Sequence, residues 1–507
     1  MFYSNLTCAL DGIDAYTVTV EADISRGVPF MNIVGLPNTS VKESKDRIKS
    51  AIINSGLEFP GQKITINLAP SDIKKEGSHF DLPIALCILA SVYNIQTDEY
   101  KRSAFVGELS LNGQVVGVKG IIPFIINARD NPAIDKIFVP YDNISESEVV
   151  DGVEIIAIKN LLELLAHLKG DRRLEKIEKK VRIASDQYDE DFEDVKGALV
   201  AKRASEVCAA GNHNMLMIGS AGSGKTLVAK RLTSIMGNLT EKEYLDVSRI
   251  YSGTGFINED ILNRKKPFRS PHHTVTMKAL IGGGNSSSPG EVVMAHKGVL
   301  FLDELLEFDR KTLEALRQPI EDKVITISRI KKVNTYPCDF LLVACMNPCP
   351  CGNYNNPSKE CTCQEHRVKS YLGRASTPLL DRFDVFVEMT PSSFGELKDS
   401  SLVEKSASIR ERVLEARKVQ QNRYKKYDFD YNDALPSKLI DKYCQLSKDA
   451  SDFMEMIFQR NKLSIRSYHK LLRVSRTIAD LDNKDRIELE HISEALNFRK
   501  PLQKYWG

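Results

Sequence analysis

The sequence contains no unbroken apolar run of the ~18 residues that a membrane-spanning helix requires, so no transmembrane helix is expected. Neither sign of charge prevails: Lys and Arg number 70, Asp and Glu 68, and the net charge is +2. That excludes a globally basic nucleic-acid coat and an acidic tail, and any nucleic-acid surface must be local. Met1 to Leu10 shows no charged stretch leading into an apolar one, so secretion is not expected. Internal repeats and low-complexity segments are also missing. What is there is ordinary for a globular chain: 507 residues, 42% apolar and 27% charged. A chain of that length buries a full core without disulfides or metals, which excludes intrinsic disorder, collagen and disulfide-rich mini-folds. Ten cysteines are present, and six of them, from Cys338 to Cys363, crowd into one stretch. Such crowding points to a local metal or redox site and to a reducing, cytoplasmic setting.

Length alone suggests about two to four domains. Residues 1–168 read as mixed α and β. Lys63 to Leu68 alternates, with Ile64, Ile66 and Leu68 on one side, as a half-buried strand does. Asn38 to Ser55 sets Val41, Ile48 and Ile52 on one helical face and stops at Gly56. Leu82 to Tyr93 is apolar enough for a buried helix. Residues 169–191 are strongly charged and read as a linker, with a solvated helix as the alternative. In 192–395 apolar strands (Met215–Gly219, Val299–Asp303, Phe340–Met346, Val385–Met389) alternate with helical stretches, which predicts an α/β domain with a mainly parallel sheet. In 396–507 Leu471, Val474, Ile478 and Leu481 form a helical stripe, and a helical subdomain is expected.

Gly219, Ser220, Ala221, Gly222, Ser223, Gly224, Lys225 and Thr226 match G-x-x-x-x-G-K-T between an apolar strand and a helical stretch. In that context the glycines let backbone N–H groups turn inward around phosphates at a helix N-terminus. Lys225 is expected to reach the β- and γ-phosphates, and the Thr226 hydroxyl to coordinate Mg²⁺. Val299-Leu-Phe-Leu-Asp303-Glu304 ends an apolar strand in two carboxylates, at the sheet edge where open α/β sheets bind ligands. Asp303 is expected to hold Mg²⁺ through water, and Glu304 to polarise an attacking water. Asn347 ends the next apolar run. It reads either as an amide orienting that water or as a turn former before Pro348.

Taken together and in this order, GSAGSGKT, GVLFLDEL, ACMNPCPCG, PLLDRFD and LSIRSYHKLLRVSRTIADL resemble the magnesium-chelatase-like AAA+ ATPases, and more narrowly the ComM/YifB family. VGLPNTSVKESKDRIKSAI and INLAPSDIKKEGSHFDLPIAL carry the same resemblance into the first domain, so it spans roughly the whole chain. It implies an AAA+ P-loop α/β core with a C-terminal α-helical lid, using ATP and Mg²⁺. By resemblance Asn347 is the sensor-1 residue. Arg382 is similar to an arginine finger acting on the neighbouring subunit, with a structural pairing to Asp381 or Asp384 as the alternative. Arg374 is a second, weaker trans-acting candidate. Arg466 is similar to sensor 2 on the lid, with a surface arginine as the alternative. A finger implies a ring, by analogy a hexamer.

Val324 to Tyr336 reads as a hairpin with Arg329, Lys331 and Lys332 at its tip. Related ATPases place a pore-facing, DNA-touching hairpin there, and basic residues on a tip suit phosphates without reading sequence. A solvated edge turn is the alternative. Ala279 to Pro289 resembles the helix-2 insertion of this branch. His272 and His273, in FRSPHHT, are metal-ligand types without obvious partners and are read as structural. Lys405 to Lys426 carries eight basic residues against two Glu and is read as a solvated basic helix rather than a nucleic-acid contact.

Cys349-Pro-Cys351 and Cys361-Thr-Cys363 form two close thiol pairs, within an insert at 345–366. Four thiolates suit tetrahedral Zn²⁺. Free or redox-active thiols and an iron–sulfur cluster remain the alternatives, with Cys345 and His366 as substitute ligands. The first domain resembles the α+β proteolytic domain of Lon-type proteases (S5 domain 2-like). Aligning KEGSHF and GELSLNGQVVGVKGII on that family's motifs puts His79 at the serine position and Ile122 at the lysine position. Ser78 and Lys119 fall out of register. The fold is therefore expected without proteolysis, because nucleophile and amine base are both missing. The expected function is a ring-forming, ATP-hydrolysing DNA motor for helicase or branch-migration work in recombination, DNA uptake or repair. The alternative is a chelatase-like motor subunit that remodels a protein partner.

Overall fold

The alternation at Lys63–Leu68 becomes the strand Lys63–Ala69, whose inward residues Ile64, Ile66 and Leu68 are buried. The computed structural model describes residues 2–178, 187–283, 288–329, 332–356, 359–391, 403–460 and 463–506. The strand belongs to a seven-stranded sheet, in the order Phe30–Val34, Lys63–Ala69, Asp14–Ser25, Phe2–Asp11, Ser103–Phe105, Lys136–Pro140, Glu154–Ile158. Phe2–Asp11, Asp14–Ser25 and Lys63–Ala69 pair antiparallel. The remaining neighbours pair parallel. Thr39–Asn54 is a helix because the Asn38 side chain caps it, accepting from Val41 N at 3.0 Å, and it buries Val41, Ile48 and Ile52. Asp81–Tyr93 buries ten consecutive residues from Asp81 to Ala90 and stops at the left-handed Asn94.

The chain divides into two compact units, Met1–Ile183 with Thr240–Asn263, and Ala184–Leu239 with Arg264–Gly507. Part of the stretch read as a linker extends the first sheet: Lys176 bridges to Ile156, and Ile177 N donates to Ile155 O at 2.7 Å. Residues 179–186 lie outside the described residues. Residues 240–263, which the sequence reading leaves inside the second domain, belong to the first unit. The helix Glu241–Thr254 starts with a capping box between Thr240 and Glu243. Leu239 N donates to Arg264 O at 2.8 Å where the chain leaves the second unit and returns to it.

The second unit is built on a five-stranded parallel sheet in the order Phe268–Arg269, Val299–Leu302, Leu341–Met346, Met215–Gly219, Val385–Met389. Every residue of Met215–Gly219, Val299–Leu302 and Leu341–Met346 is buried. That is the signature of a parallel sheet covered on both faces, and it explains why these strands read as continuous apolar runs. The first strand in the chain sits between the last two, so the chain reverses direction beside Gly219. A crevice at the carboxyl ends of the strands opens at such a point.

The helices Ser406–Tyr424, Lys448–Arg460, Ile465–Leu481, Leu489–Asn497 and Lys500–Trp506 follow. The basic helix is solvated on one side only: Lys418 and, at its end, Lys425 and Lys426 are exposed, but other basic residues turn inward. Arg417 is 6% exposed and donates to Ala209 O and Met236 O, in the last turns of two other helices. Arg412 pairs with Glu206 and Glu404, and Arg423 with Asp480. The Arg417 guanidinium thus satisfies helix-end carbonyls, and Arg412 and Arg423 join acids that other residues also bind, Arg203 on Glu206 and Arg476 on Asp480. No helix among the described residues is long and apolar enough to cross a membrane.

Candidate nucleotide site and four-cysteine cluster

The phosphate loop joins the strand Met215–Gly219 to the helix Lys225–Met236. Glycine is required at its ends for different reasons. A Cβ on Gly219 would stand 2.3 Å from Met389 O, and Gly224 has φ +83°, which other residues rarely adopt. Lys225 Nζ folds back onto the loop, donating to Gly219 O at 2.7 Å and Ser220 O at 2.8 Å, with Asn347 Oδ1 at 3.4 Å. Burial lowers its proton affinity, while Cys345, Asp303 and Glu304 act the other way.

Thr226 Oγ1 donates to Asp303 Oδ2 at 2.9 Å. The other oxygen of Asp303 accepts from Glu304 N at 2.9 Å and from the Cys345 thiol at 3.0 Å. Glu304 takes a left-handed backbone, φ +53°, which turns the chain sharply at the strand end. Its carboxylate faces His273, with Nδ1 and Oε2 3.2 Å apart. Lys225, Thr226, Asp303, Glu304 and Asn347 thus converge on one strand-end crevice from three adjacent strands. The sequence reading missed two members: Cys345, considered only as a metal ligand, and His273, read as structural. The signal for His273 was its place in the loop just after the strand Phe268–Arg269, which neighbours the acidic strand.

Arg382 and Arg466 do not join this constellation. Both pair with Glu321: Arg382 through Nη2 to Oε2, and Arg466 through Nη2 to Oε1 at 3.8 Å. Neither Asp381 nor Asp384 takes Arg382; Asp384 instead pairs with Lys470 at 2.8 Å. Arg374 donates to Leu306 O and Glu307 Oε2 at 3.0 and 3.2 Å. The expected hairpin is an antiparallel ladder of Val324–Arg329 with Lys332–Pro337, Arg329 facing Lys332 at its end. Lys331 lies outside the described residues, and so do the side chains of Arg329 and Lys332.

The sulfurs of Cys349, Cys351, Cys361 and Cys363 all lie within 4.8 Å of one another. Three of the separations are 3.4, 3.7 and 3.6 Å. A tetrahedron with Zn–S bonds of ~2.3 Å has S···S edges of about 3.8 Å, whereas a disulfide needs ~2.05 Å. The four thiols therefore fit a tetrahedral metal ion, and all ten cysteines are free. Cys345 and His366 are not part of the group.

In the first unit, His79 is 6% exposed and packs on Phe80 and Phe124 with ring centroids 4.2 and 5.0 Å away. Burial pushes its imidazole down to about 4. Ser78 Oγ donates to Glu108. Ile122 offers only its backbone N–H, which donates to Ser252 Oγ at 3.2 Å. Neither aligned position holds a nucleophile or an amine base.

Comparison with known families matches three successive stretches. Residues 191–397 match "Magnesium chelatase, subunit ChlI", 20–143 "Subunit ChlI of Mg-chelatase", and 403–499 "Magnesium chelatase, subunit ChlI C-terminal". The chain is 41% identical to "Uncharacterized protein YifB" of Escherichia coli (strain K12), over 97% of this chain and 96% of that protein. It is 39% identical to "Competence protein ComM" of Haemophilus influenzae, over 96% of this chain and 95% of that protein. A shorter stretch, 24% of this chain and 22% of the other, is 32% identical to "Lon protease 2" of Bacillus subtilis (strain 168). With these matches running nearly end to end over a mixed α/β structure with a parallel sheet, the chain belongs to the ComM/YifB family of magnesium-chelatase-like proteins.

Proposed function

We propose that this chain is a ring-forming ATPase that moves on DNA, and that its first domain is a Lon-like scaffold without proteolytic activity. The observation that carries the ATPase reading is the convergence of Lys225, Thr226, Asp303, Glu304 and Asn347 on one crevice. Lys225 exchanges its two loop carbonyls for the β- and γ-phosphates of ATP. Thr226 and Asp303, already hydrogen-bonded, are the residues that would hold Mg²⁺. That ion supplies charge neutralisation at the phosphate oxygens. Glu304 polarises the attacking water and Asn347 orients it. Arg382 serves the neighbouring subunit of a ring, taken as a hexamer by analogy, and Arg466 serves the lid. Zn²⁺ on the four cysteines is structural. The work is done in the cytoplasm.

The DNA reading rests on the hairpin bearing Arg329, Lys331 and Lys332, and on the word competence in a full-length relative's name. Helicase or branch-migration work during recombination, DNA uptake or repair follows from it. The family descriptions favour a second reading, a chelatase-like motor that remodels a protein partner. ATP turnover of the purified protein, alone and with single-stranded, duplex and branched DNA at low salt, separates the two. DNA should raise turnover several-fold. Lys331→Ala/Lys332→Ala should lose that response and keep basal turnover, and Glu304→Gln should lose both. Turnover indifferent to every DNA refutes the DNA motor and leaves the chelatase-like reading.

A further inference from the structure

We propose that the four-cysteine centre is a wall of the nucleotide site, so that tight nucleotide binding requires the metal ion. The inference rests on the ATPase and zinc readings above and goes beyond them, because it gives the ion a role in ligand binding. The segment that carries the first two ligands begins directly after Asn347, the side chain 3.4 Å from Lys225 Nζ. It then runs against the phosphate loop: a Cβ on Gly352 would stand 3.8 Å from Ala221 N, an ordinary contact distance. Gly219 and Ser220 of the phosphate loop line one open cleft together with Pro348, Gly352, Tyr354 and Tyr505. Residues of the cysteine segment and of the phosphate loop therefore share one concave surface.

The cluster ties the two ends of that segment together. No helix or strand is formed between Met346 and Glu365 among the described residues. Two of its bonds involve a ligand, Gly352 N donating to Cys349 O at 3.0 Å and Tyr354 N to Cys349 Sγ at 3.2 Å; Asn356 N also donates to Asn353 O at 3.0 Å, and the Tyr354 ring lies 6.4 Å from that of Tyr505. Cys361 and Cys363 close the loop from its far end, just before the helix Glu365–Leu372. Four sulfurs less than 5 Å apart bring no cohesion of their own, since thiolates repel and thiols are weak donors. A divalent ion converts the same four groups into a cross-link that closes the loop and removes its conformational freedom. Without it, the wall against Gly219 and Ser220 loses its fixed position, and nucleotide must order the segment as it binds.

The test uses the full-length protein, purified under reducing conditions. Metal content per chain is measured by mass spectrometry, and binding of a fluorescent ADP analogue is titrated in excess Mg²⁺. Titrations are run on the protein as isolated, after zinc is stripped and the chelator removed, and after Zn²⁺ is returned. The expectation is about one zinc per chain, a Kd at least ten-fold weaker after stripping, and recovery on reloading. Circular dichroism of the stripped protein checks that it keeps its fold, since metal binding can itself drive refolding. Cys351→Ser and Cys361→Ser, checked by circular dichroism, should bind nucleotide as the stripped protein does. One zinc per chain with an unchanged Kd on stripping overturns the coupling and leaves the zinc reading intact. Failure to take up Zn²⁺ in competition with a chromophoric chelator overturns both. Absence of ADP binding by zinc-loaded protein overturns the ATPase reading, and the coupling with it.

Discussion

Replacing Asp384 by Asn should destabilise the second unit by about 3 kcal/mol, because it removes one charge from a buried pair. Asp384 ends the PLLDRFD motif, and its carboxylate lies 2.8 Å from Lys470 Nζ, with side chains 13% and 11% exposed. Asn214 N and the His213 ring also face it, at 3.3 and 3.8 Å. Burial opposes both charges. It lowers Lys470, and at Asp384 it is outweighed by Lys470 and His213, which hold the carboxyl well below the usual range. At an effective dielectric of ~20, charges that close attract by about 6 kcal/mol, and desolvation offsets much of this. Removing one partner of such a pair costs about 3–5 kcal/mol. With a urea m-value of about 3 kcal/mol/M for a unit this large, the midpoint should fall by about 1 M. The sole tryptophan, Trp506, donates to Leu372 O at 3.1 Å inside the second unit. Its fluorescence therefore reports that transition alone. Adding Lys470→Met removes the orphaned charge and should recover at least half the loss. Because the folded carboxyl is depressed, its contribution is fully present above the unfolded value of ~3.9 and is lost progressively as pH falls from there towards the lower folded value. The wild type should lose stability below about pH 4 more steeply than the Asn variant. A midpoint shift under about 0.3 M, or additive single and double variants, refutes the reasoning.

Cys345→Ala removes the thiol that donates to Asp303 and should raise the Mg²⁺ concentration for half-maximal ATP turnover about five-fold, since a hydrogen bond to a charged group contributes about 1 kcal/mol or more. Cys345→Ser keeps a donor and should stay near wild type in the same Mg²⁺ titration. In the first unit, Ser252→Ala deprives the Ile122 N–H of its acceptor and Glu146 of a donor at 2.8 Å. Glu146, already raised by burial, should rise further, and amide exchange measured on peptides covering 117–126 should speed up about ten-fold.

Legibility in the sequence followed the range of the physics. The phosphate loop, the acidic strand and the strand ending in Asn347 each announce themselves within ten residues, because a buried parallel strand is a continuous apolar run and its polar terminus is where the run stops. Helix Thr39–Asn54 was legible for the same reason, with its cap and its apolar face both local. Helix Glu241–Thr254 has an equally clear capping box, yet nothing local says which core its apolar face enters. Ser406–Tyr424 is a related case. Its charge pattern reads as solvated, and only the carbonyls of Ala209 and Met236, some two hundred residues earlier, reveal Arg417 as a buried anchor.

The arginines show the limit most clearly. A sequence reading assigns Arg382 the nearest acids, Asp381 or Asp384, but Asp384 is committed to Lys470. Arg382 turns to Glu321, 61 residues away, and Arg466 shares that same carboxylate. The pairing is lopsided. The Arg382 side chain is 8% exposed and its Nε is buried without a hydrogen-bond partner, whereas Glu321 is 56% exposed. An exposed carboxylate binds a guanidinium weakly, because water screens it, and a guanidinium offers five donors in a fork that a phosphate matches better than one carboxylate oxygen. A buried guanidinium that is left under-satisfied gains by meeting an oxyanion. The motif places Arg382 among candidate fingers, and its lopsided pairing with Glu321 leaves it donors to spare.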